Sequence, residues 1–326
     1  MTAVIRAYRW PALLLLISIL LAACGNSRGT QVTGVATPTT APSARPTIKI
    51  ATKDFVEQYL LGELYAQLLE NAGFSVERDA NGRIPVLGET PVLQAAMLKG
   101  GATGGIDMYP EYTSTGLLTV LKQPPIDDPR ELYAAVKSGY EQQFHLTWLA
   151  PAPFNDAQAL ATTRENSEKY GIKTYSDLSA RANELVLGAA PAFLVREDGI
   201  KGLQQAYGGF EFKQIKQLGT GTIRYQALLN KEIDVVQAFG TDGEIKGYEL
   251  VLLQDDQGFY PIYQAAPVIR QDVLEQNPEI ADILNKLAPK LTDEVMSALN
   301  WQVTGPANLD PKNVARGYLQ LEGLLQ

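Results

Sequence analysis

Gly105-Ile-Asp-Met-Tyr-Pro-Glu-Tyr-Thr-Ser-Thr-Gly116 is the stretch on which the fold turns. Gly105 to Met108 reads as the end of a buried strand. Pro110 suits the first turn of a helix, where its missing N–H costs nothing. The spacing therefore predicts a handover from strand to helix. In open α/β sheets that edge is where ligands bind, near the positive end of the helix. Tyr112 and Thr115 are three apart and share one face of a helical turn. One offers an aromatic ring, the other a hydroxyl. Packing of the strand against the helix would also account for Tyr109 and Tyr112, so the rest of the chain has to decide.

The chain has 326 residues, 45% hydrophobic, with 28 Gly and 19 Pro. That length accommodates two domains, each with a sizeable core. The net charge of −8 and the lack of a basic run beyond the N-terminus argue against a nucleic-acid partner, because such binding depends on Lys/Arg contacts to phosphate. Arg6 and Arg9 precede an apolar core from Pro11 to Leu21, followed by Ala22-Ala23-Cys24. This pattern predicts a secretory signal over residues 1–23. Its core is shorter than the roughly 20 residues of a spanning helix. Leu21-Ala-Ala-Cys24 resembles the bacterial lipobox, which implies that Cys24, the only cysteine, carries a lipid. An ordinary soluble signal with an incidental cysteine is the alternative. Residues 24–46, rich in Thr, Pro, Ser, Gly and Ala, cannot bury enough surface to fold and read as a tether. Together these features predict a body anchored on the extracytoplasmic face of the cell membrane, or held in the periplasm.

Taken in order, Thr47 to Ala51 predicts a short strand. Asp54-Phe-Val-Glu57 matches a capping box that opens a helix running to Leu69. A strand over Ser75 to Asp79 follows, then a helix from Thr90-Pro91. The glycine-rich loop Lys99 to Gly105 lacks a phosphate-cradle pattern and reads as a connection. Asp128-Pro129 caps a helix with Leu132, Tyr133, Val136 and Tyr140 on one side. Strands are expected at Leu146–Leu149, Ala159–Thr162, Leu185–Gly188, Lys213–Leu218, Val235–Phe239, Leu250–Leu253 and Ala265–Arg270. Helices are expected between them, and three more at the tail, Pro278–Leu287, Asp293–Leu299 and Pro311–Leu324. The alternation predicts an α/β fold with largely parallel sheets.

Catalytic signatures are scarce. His145 is the only histidine and reads as a packed or surface residue. No G-x-S-x-G elbow, H-E-x-x-H or cysteine cluster occurs. The Asp255-Asp256 pair lacks an EF-hand-like loop. No cofactor, metal or catalytic residue is called for, and the chain is expected not to be an enzyme.

Six segments carry a resemblance: Ile48–Gln58, Asp107–Thr115, Phe154-Asn-Asp156, Arg196-Glu-Asp-Gly199, Phe239-Gly-Thr-Asp-Gly243 and Phe259–Tyr263. In this order they are similar to the substrate-binding lipoproteins of ABC importers for glycine betaine, choline, carnitine and related quaternary amines, the OpuAC-like group. The resemblance implies a two-lobed periplasmic-binding-protein fold, with a hinge crossed twice and a ligand cleft between the lobes. Lobe 1 is expected at 47–153 plus 259–326 and lobe 2 at 154–258. The expected partners are a small quaternary amine and the importer's permease and ATPase subunits. A trimethylammonium group has no N–H to share, so ring faces must recognise its charge, at about 0.5–2 kcal/mol per contact. By motif position Tyr112 and Tyr263 fall on the family's aromatic cage, and Phe239 on a cage position usually held by Tyr. Lys53, Thr115 and Arg196 fall on positions that contact the ligand's carboxylate. Gln158 stands where the family has a fourth cage tyrosine, Ser114 replaces a usual glycine, and Gly101–Gly104 looks inserted. Gln158 removes one ring and adds hydrogen-bonding capacity, so a different zwitterion or amino-acid derivative is the second reading. A secreted enzyme on a similar scaffold is the third.

Overall fold

The computed structural model describes residues 45–219 and 221–325. The expected signal peptide, Cys24 and nearly all of the tether lie outside the described residues. No helix among the described residues is long and apolar enough to cross a membrane.

Among the described residues ten strands form three sheets. They are β1 Thr47–Ile48, β2 Ser75–Val76, β3 Met108–Tyr112, β4 Leu146–Trp148, β5 Gln158–Thr162, β6 Val186–Ala189, β7 Gln214–Gln217, β8 Val235–Phe239, β9 Val251–Leu252 and β10 Ala265–Arg270. β1 and β2 pair alone; β3-β10-β4 make a three-stranded sheet; β7-β6-β8-β5-β9 make a five-stranded one. The chain leaves the three-stranded sheet after β4, builds the whole five-stranded sheet, and returns in β10. Each sheet carries its own apolar cores: Ile50, Met108, Tyr112 and Ile269 contribute to one beside the first, Leu160, Leu187 and Val235 to one beside the second. These are two α/β lobes.

The expectation of largely parallel sheets is corrected. β3 and β4 both run antiparallel to β10. β6 is parallel to β7 and β8, whereas β5 runs antiparallel to β8 and β9. The strands that follow each passage between lobes, β5 and β10, enter in the opposite sense to their neighbours. Alternation of strand and helix says nothing about that sense.

Pro110 does not open a helix. It lies inside β3, directly opposite Pro267 of β10. Leu149 N donates to Pro267 O at 2.9 Å, so that carbonyl faces β4 and the two prolines form a pair that needs no ladder bond between them. β3 is also an edge strand, where a missing N–H is tolerated. The strand thus runs four residues beyond Met108, to Tyr112, and a single helical turn, Thr113–Thr115, follows. All five β3 residues are buried, as in a strand covered on both faces.

The helix Val56–Asn71 begins where the sequence predicts, without the expected capping box: no side chain caps its first turn. Tyr59 donates its hydroxyl to Asp54, and Glu57 points inward, 3% exposed. Partners from elsewhere in the fold claim its carboxylate. The Asp128 cap is present, accepting from Arg130 N and Glu131 N at 2.9 and 3.0 Å. The tail holds a further helix, Gln271–Gln276, besides the three expected.

Candidate functional site

The site lies where the ends of the two main sheets face each other. Tyr112 ends β3, Tyr263 sits two residues ahead of β10, Gln158 starts β5 and Phe239 ends β8. Gln158 and Phe239 are direct partners in the β5–β8 ladder. Lys53 precedes the helix Val56–Asn71, Thr115 closes the turn after β3, and Arg196 follows the short helix Pro191–Val195. All seven line one cavity of about 70 Å³, together with Phe55, Glu89, Asp156, Phe193 and Gln237. Cys24, the expected lipid carrier, lies outside the described residues.

Three rings form a continuous wall. Phe55 stacks near-parallel on Tyr112 at 6.2 Å and on Phe239 at 5.9 Å between centroids, separations typical of offset stacks. Phe239 also meets the fully buried Arg224, whose guanidinium carbon is 5.3 Å from the ring centroid. Arg224 donates to Asp242 at 2.6 Å, and Asp242 also accepts the backbone N–H of Phe239 at 2.9 Å. The ring is therefore fixed from its own backbone.

Both cations of the cavity already have an acid. Lys53 Nζ donates to the fully buried Glu111 at 2.5 Å and lies 5.0 Å from the Tyr112 centroid. Thr90 hydroxyl gives Glu111 a further bond at 2.8 Å. Arg196 grips Asp198 with two parallel bonds of 2.6 and 2.5 Å. Tyr263 hydroxyl donates to the same carboxylate at 2.5 Å, and Gln158 Nε2 to the Asp198 carbonyl at 2.8 Å. Burial works against the Asp198 charge, but the Arg196 guanidinium and the Tyr263 hydroxyl outweigh it and hold its pKa below the ordinary value. Burial, reinforced by the Asp198 charge, pushes the Tyr263 phenol well up. Gln158 thus does more than vacate a ring position: its amide ties β5 to the Arg196–Asp198 pair.

Sequence reasoning missed Phe55, Glu57, Glu111, Asp156, Asp198 and Thr241. All six lie inside the segments that carried the resemblance, so the signal was present but unassigned. Asn300, which donates to Glu57 at 3.2 Å, lies in none of them, and nothing in the sequence marked it. His145 is exposed and ends the helix Pro129–Phe144 in the left-handed region. Asp255 and Asp256 accept backbone N–H groups of Tyr260 and Ser176 at 2.8 and 3.1 Å. No acid, histidine and cysteine cluster among the described residues has a metal-binding arrangement.

A two-lobed body whose one cavity wall joins rings, cations and hydroxyls from both sheets defines a solute-binding protein of the periplasmic-binding class. The chain belongs to the family of substrate-binding domains of ABC-type glycine betaine transport systems, matched over residues 46–321. It is similar to the ergothioneine transport permease/ergothioneine binding protein EgtU of Helicobacter pylori, 36% identical over 287 residues, 88% of this chain. The chain spans about half of that relative, 49% of its length. It is also similar to the carnitine transport binding protein OpuCC of Listeria monocytogenes, 35% identical over 281 residues, 85% of this chain and 87% of the relative. A crystal structure described as a glycine betaine/carnitine/choline ABC transporter superposes with a TM-score of 0.69 at 28% identity, covering 86% of this chain and all of the other.

Proposed function

We propose that the cavity captures a quaternary-ammonium compound of the glycine betaine, choline or carnitine type and that the closed protein delivers it to an ABC permease driven by its ATPase subunits. The observation that carries this reading is that Tyr112, Phe239 and Tyr263 line the same cavity as Lys53, Thr115 and Arg196. Ring faces suit a cation that has no N–H, and the cations and hydroxyl suit a carboxylate at its other end. The names of relatives that bind glycine betaine, carnitine and ergothioneine support the same ligand class. We take the lobes to divide at about residues 153 and 259, and Cys24 to anchor the body through lipid after removal of residues 1–23. The role is capture, with no chemistry done on the ligand.

Gln158 favours a second reading within this fold. An amide stands where the family has a ring, and it already binds the Asp198 carbonyl. A zwitterion with a polar group beside its cation, or an amino-acid derivative, would exploit it. Calorimetry with glycine betaine, choline, carnitine and ergothioneine separates the cases. Binding of any of the four below millimolar supports the first reading, and Tyr112→Ala then separates the second, since a cage predicts severe loss for a cationic ligand whereas another recognition chemistry predicts little. Binding of none sinks the ligand class. Cys24→Ala should move the protein from the membrane to the soluble fraction, and continued membrane retention would sink the anchor.

A further inference from the structure

Beside the ring wall lies a second, smaller cavity of about 20 Å³, lined by Glu57, Asp156, Asp242, Glu244, Thr241 and Asn300 among others. It shares Phe55, Asp156 and Phe239 with the first. Glu57 and Asn300 belong to helices that pack together beside the three-stranded sheet. Thr241 follows β8 of the other sheet. Asp156 lies on the passage between β4 and β5.

The Thr241 hydroxyl is within hydrogen-bond reach of both Glu57 Oε2 and Asp156 Oδ1, the latter at 2.7 Å. A hydroxyl has one proton to give. Only one of the two contacts can use it, so the other needs a proton that sits on a carboxyl. Burial raises the Glu57 pKa as well, but three donors oppose it, those of Thr241, of Tyr112 at 2.7 Å and of Asn300 Nδ2 at 3.2 Å, so the geometry makes Glu57 the ionised member of the pair. The Asn300 amide is fixed in that sense, since Nδ2 also donates to Thr241 O at 2.9 Å. Asp156 has no such set of donors: among the described residues its carboxyl meets Thr241 and the Glu57 carboxyl.

We propose that Asp156, Thr241 and Glu57 form a proton-dependent latch between the lobes, in which a neutral Asp156 donates to Thr241 and Thr241 donates to Glu57, so that closure over the ligand takes up one proton from solvent. This rests on the cavity being the ligand site. The charged groups around Asp156 agree. Glu57 faces it from the helix Val56–Asn71, and Asp242 from the turn after β8, with Arg224 of the helix Ile223–Leu229 paired to Asp242. Lys53 and Arg196, across the shared cavity, are each committed to Glu111 and Asp198. Tyr112 is neutral, its phenol pushed up by burial and then by the Glu57 charge. Burial first, then the Glu57 and Asp242 charges, drive Asp156 well above the ordinary carboxylate range. In the open protein Asp156 meets water and returns toward that range.

The sign follows from linkage. The closed form binds the proton more tightly than the open form, so closure is favoured at low pH and weakens as pH rises between the two pKa values. Affinity should fall by up to about tenfold per pH unit in that window. Asp156→Asn supplies a neutral donor at every pH, so its affinity should not change with pH. The probes are glycine betaine and choline, choline having no group that titrates. Calorimetry in buffers of different ionisation enthalpy should show one proton taken up by the wild type and none by Asp156→Asn. Equal proton uptake by both, or a flat wild-type profile, overturns the latch while leaving the ligand reading intact. Should neither probe bind, small-angle X-ray scattering of the ligand-free protein still decides, because low pH alone should favour the closed form. The wild type should become more compact as pH falls from neutral toward the ordinary carboxylate range while Asp156→Asn shows no such change, and a wild type whose dimensions do not respond to pH overturns the proposal.

Discussion

Replacing Tyr112 by Leu and, separately, by Phe isolates what its ring does. Tyr112 is 4% exposed, so a cation on its ring is desolvated. That places the contact near the upper end of the cation–π range, about 2 kcal/mol. At 1.4 kcal/mol per tenfold, this is a loss of about 30-fold in affinity. Tyr112→Phe keeps the ring and removes only the hydroxyl bond to Glu57, a change of about 1 kcal/mol in stability. Glu57 retains Thr241 and Asn300 in that variant. The assay is calorimetry with choline and with 3,3-dimethylbutan-1-ol, its neutral counterpart with carbon in place of nitrogen. Choline should bind Tyr112→Leu about 30-fold more weakly than Tyr112→Phe, whereas the neutral compound should barely distinguish them. Equal losses for both compounds would mean that Tyr112 contributes shape alone. Thermal melts of both variants establish that each is folded, so an equal loss would refute the cage itself.

Three further outcomes can be stated. Arg224→Met leaves the Asp242 carboxylate without its cation and should cost about 3–5 kcal/mol of stability, read in a denaturant titration; a loss under 1 kcal/mol would show that the pair is dispensable. A methyl group added at Gly247 would lie 2.4 Å from the Trp301 ring, so Gly247→Ala should destabilise by about 1–3 kcal/mol, and Trp301→Leu in the same chain should restore part of it. The Asp198 carboxylate titrates below its ordinary value when folded, so it contributes stability above the unfolded pKa that is lost as pH falls through the folded one. Melting temperature should therefore drop more steeply in acid for the wild type than for Asp198→Asn, and identical acid limbs would show that Arg196 does not hold that charge.

Much of the fold was legible because burial leaves a period in the sequence. The helix Pro129–Phe144 buries Leu132, Val136 and Tyr140, the spacing that predicted it, and β8 and β10 occupy the expected residues. Strand direction was not legible, since an antiparallel β5 and a parallel one carry the same buried run. Pro110 misled for a related reason: its missing N–H suits a helix start, but it also suits an edge strand, and only the pairing with Pro267 decides. Glu57 misled through its spacing from Asp54. The four-residue pattern is that of a capping box, whereas its burial against Tyr112, Thr241 and Asn300 depends on elements up to 243 residues away.

Of the missed site residues, Glu57, Glu111 and Asp198 follow a rule that explains their positions. A buried cation or ring hydroxyl must be satisfied when no ligand is present, because an unpaired one costs more than a lost bond. Lys53, Tyr112, Arg196, Phe239 and Tyr263 therefore each come with an acid, and that acid lies close in sequence to one or another of the expected contact residues. Asp198 lies two residues from Arg196 and holds it bidentate. Asp242 lies three from Phe239 and fixes its backbone N–H. Glu111 adjoins Tyr112, accepts its N–H at 2.7 Å and neutralises Lys53. Glu57, four residues from Lys53, takes the Tyr112 hydroxyl. A reading that seeks only groups able to touch a ligand selects the first member of each pair and passes over the second. The second member sets what the first can do: Lys53 and Arg196 have to share their donors between an acid of the protein and any carboxylate that enters, so the affinity for that carboxylate is the difference between two charge-assisted bonds rather than the strength of one.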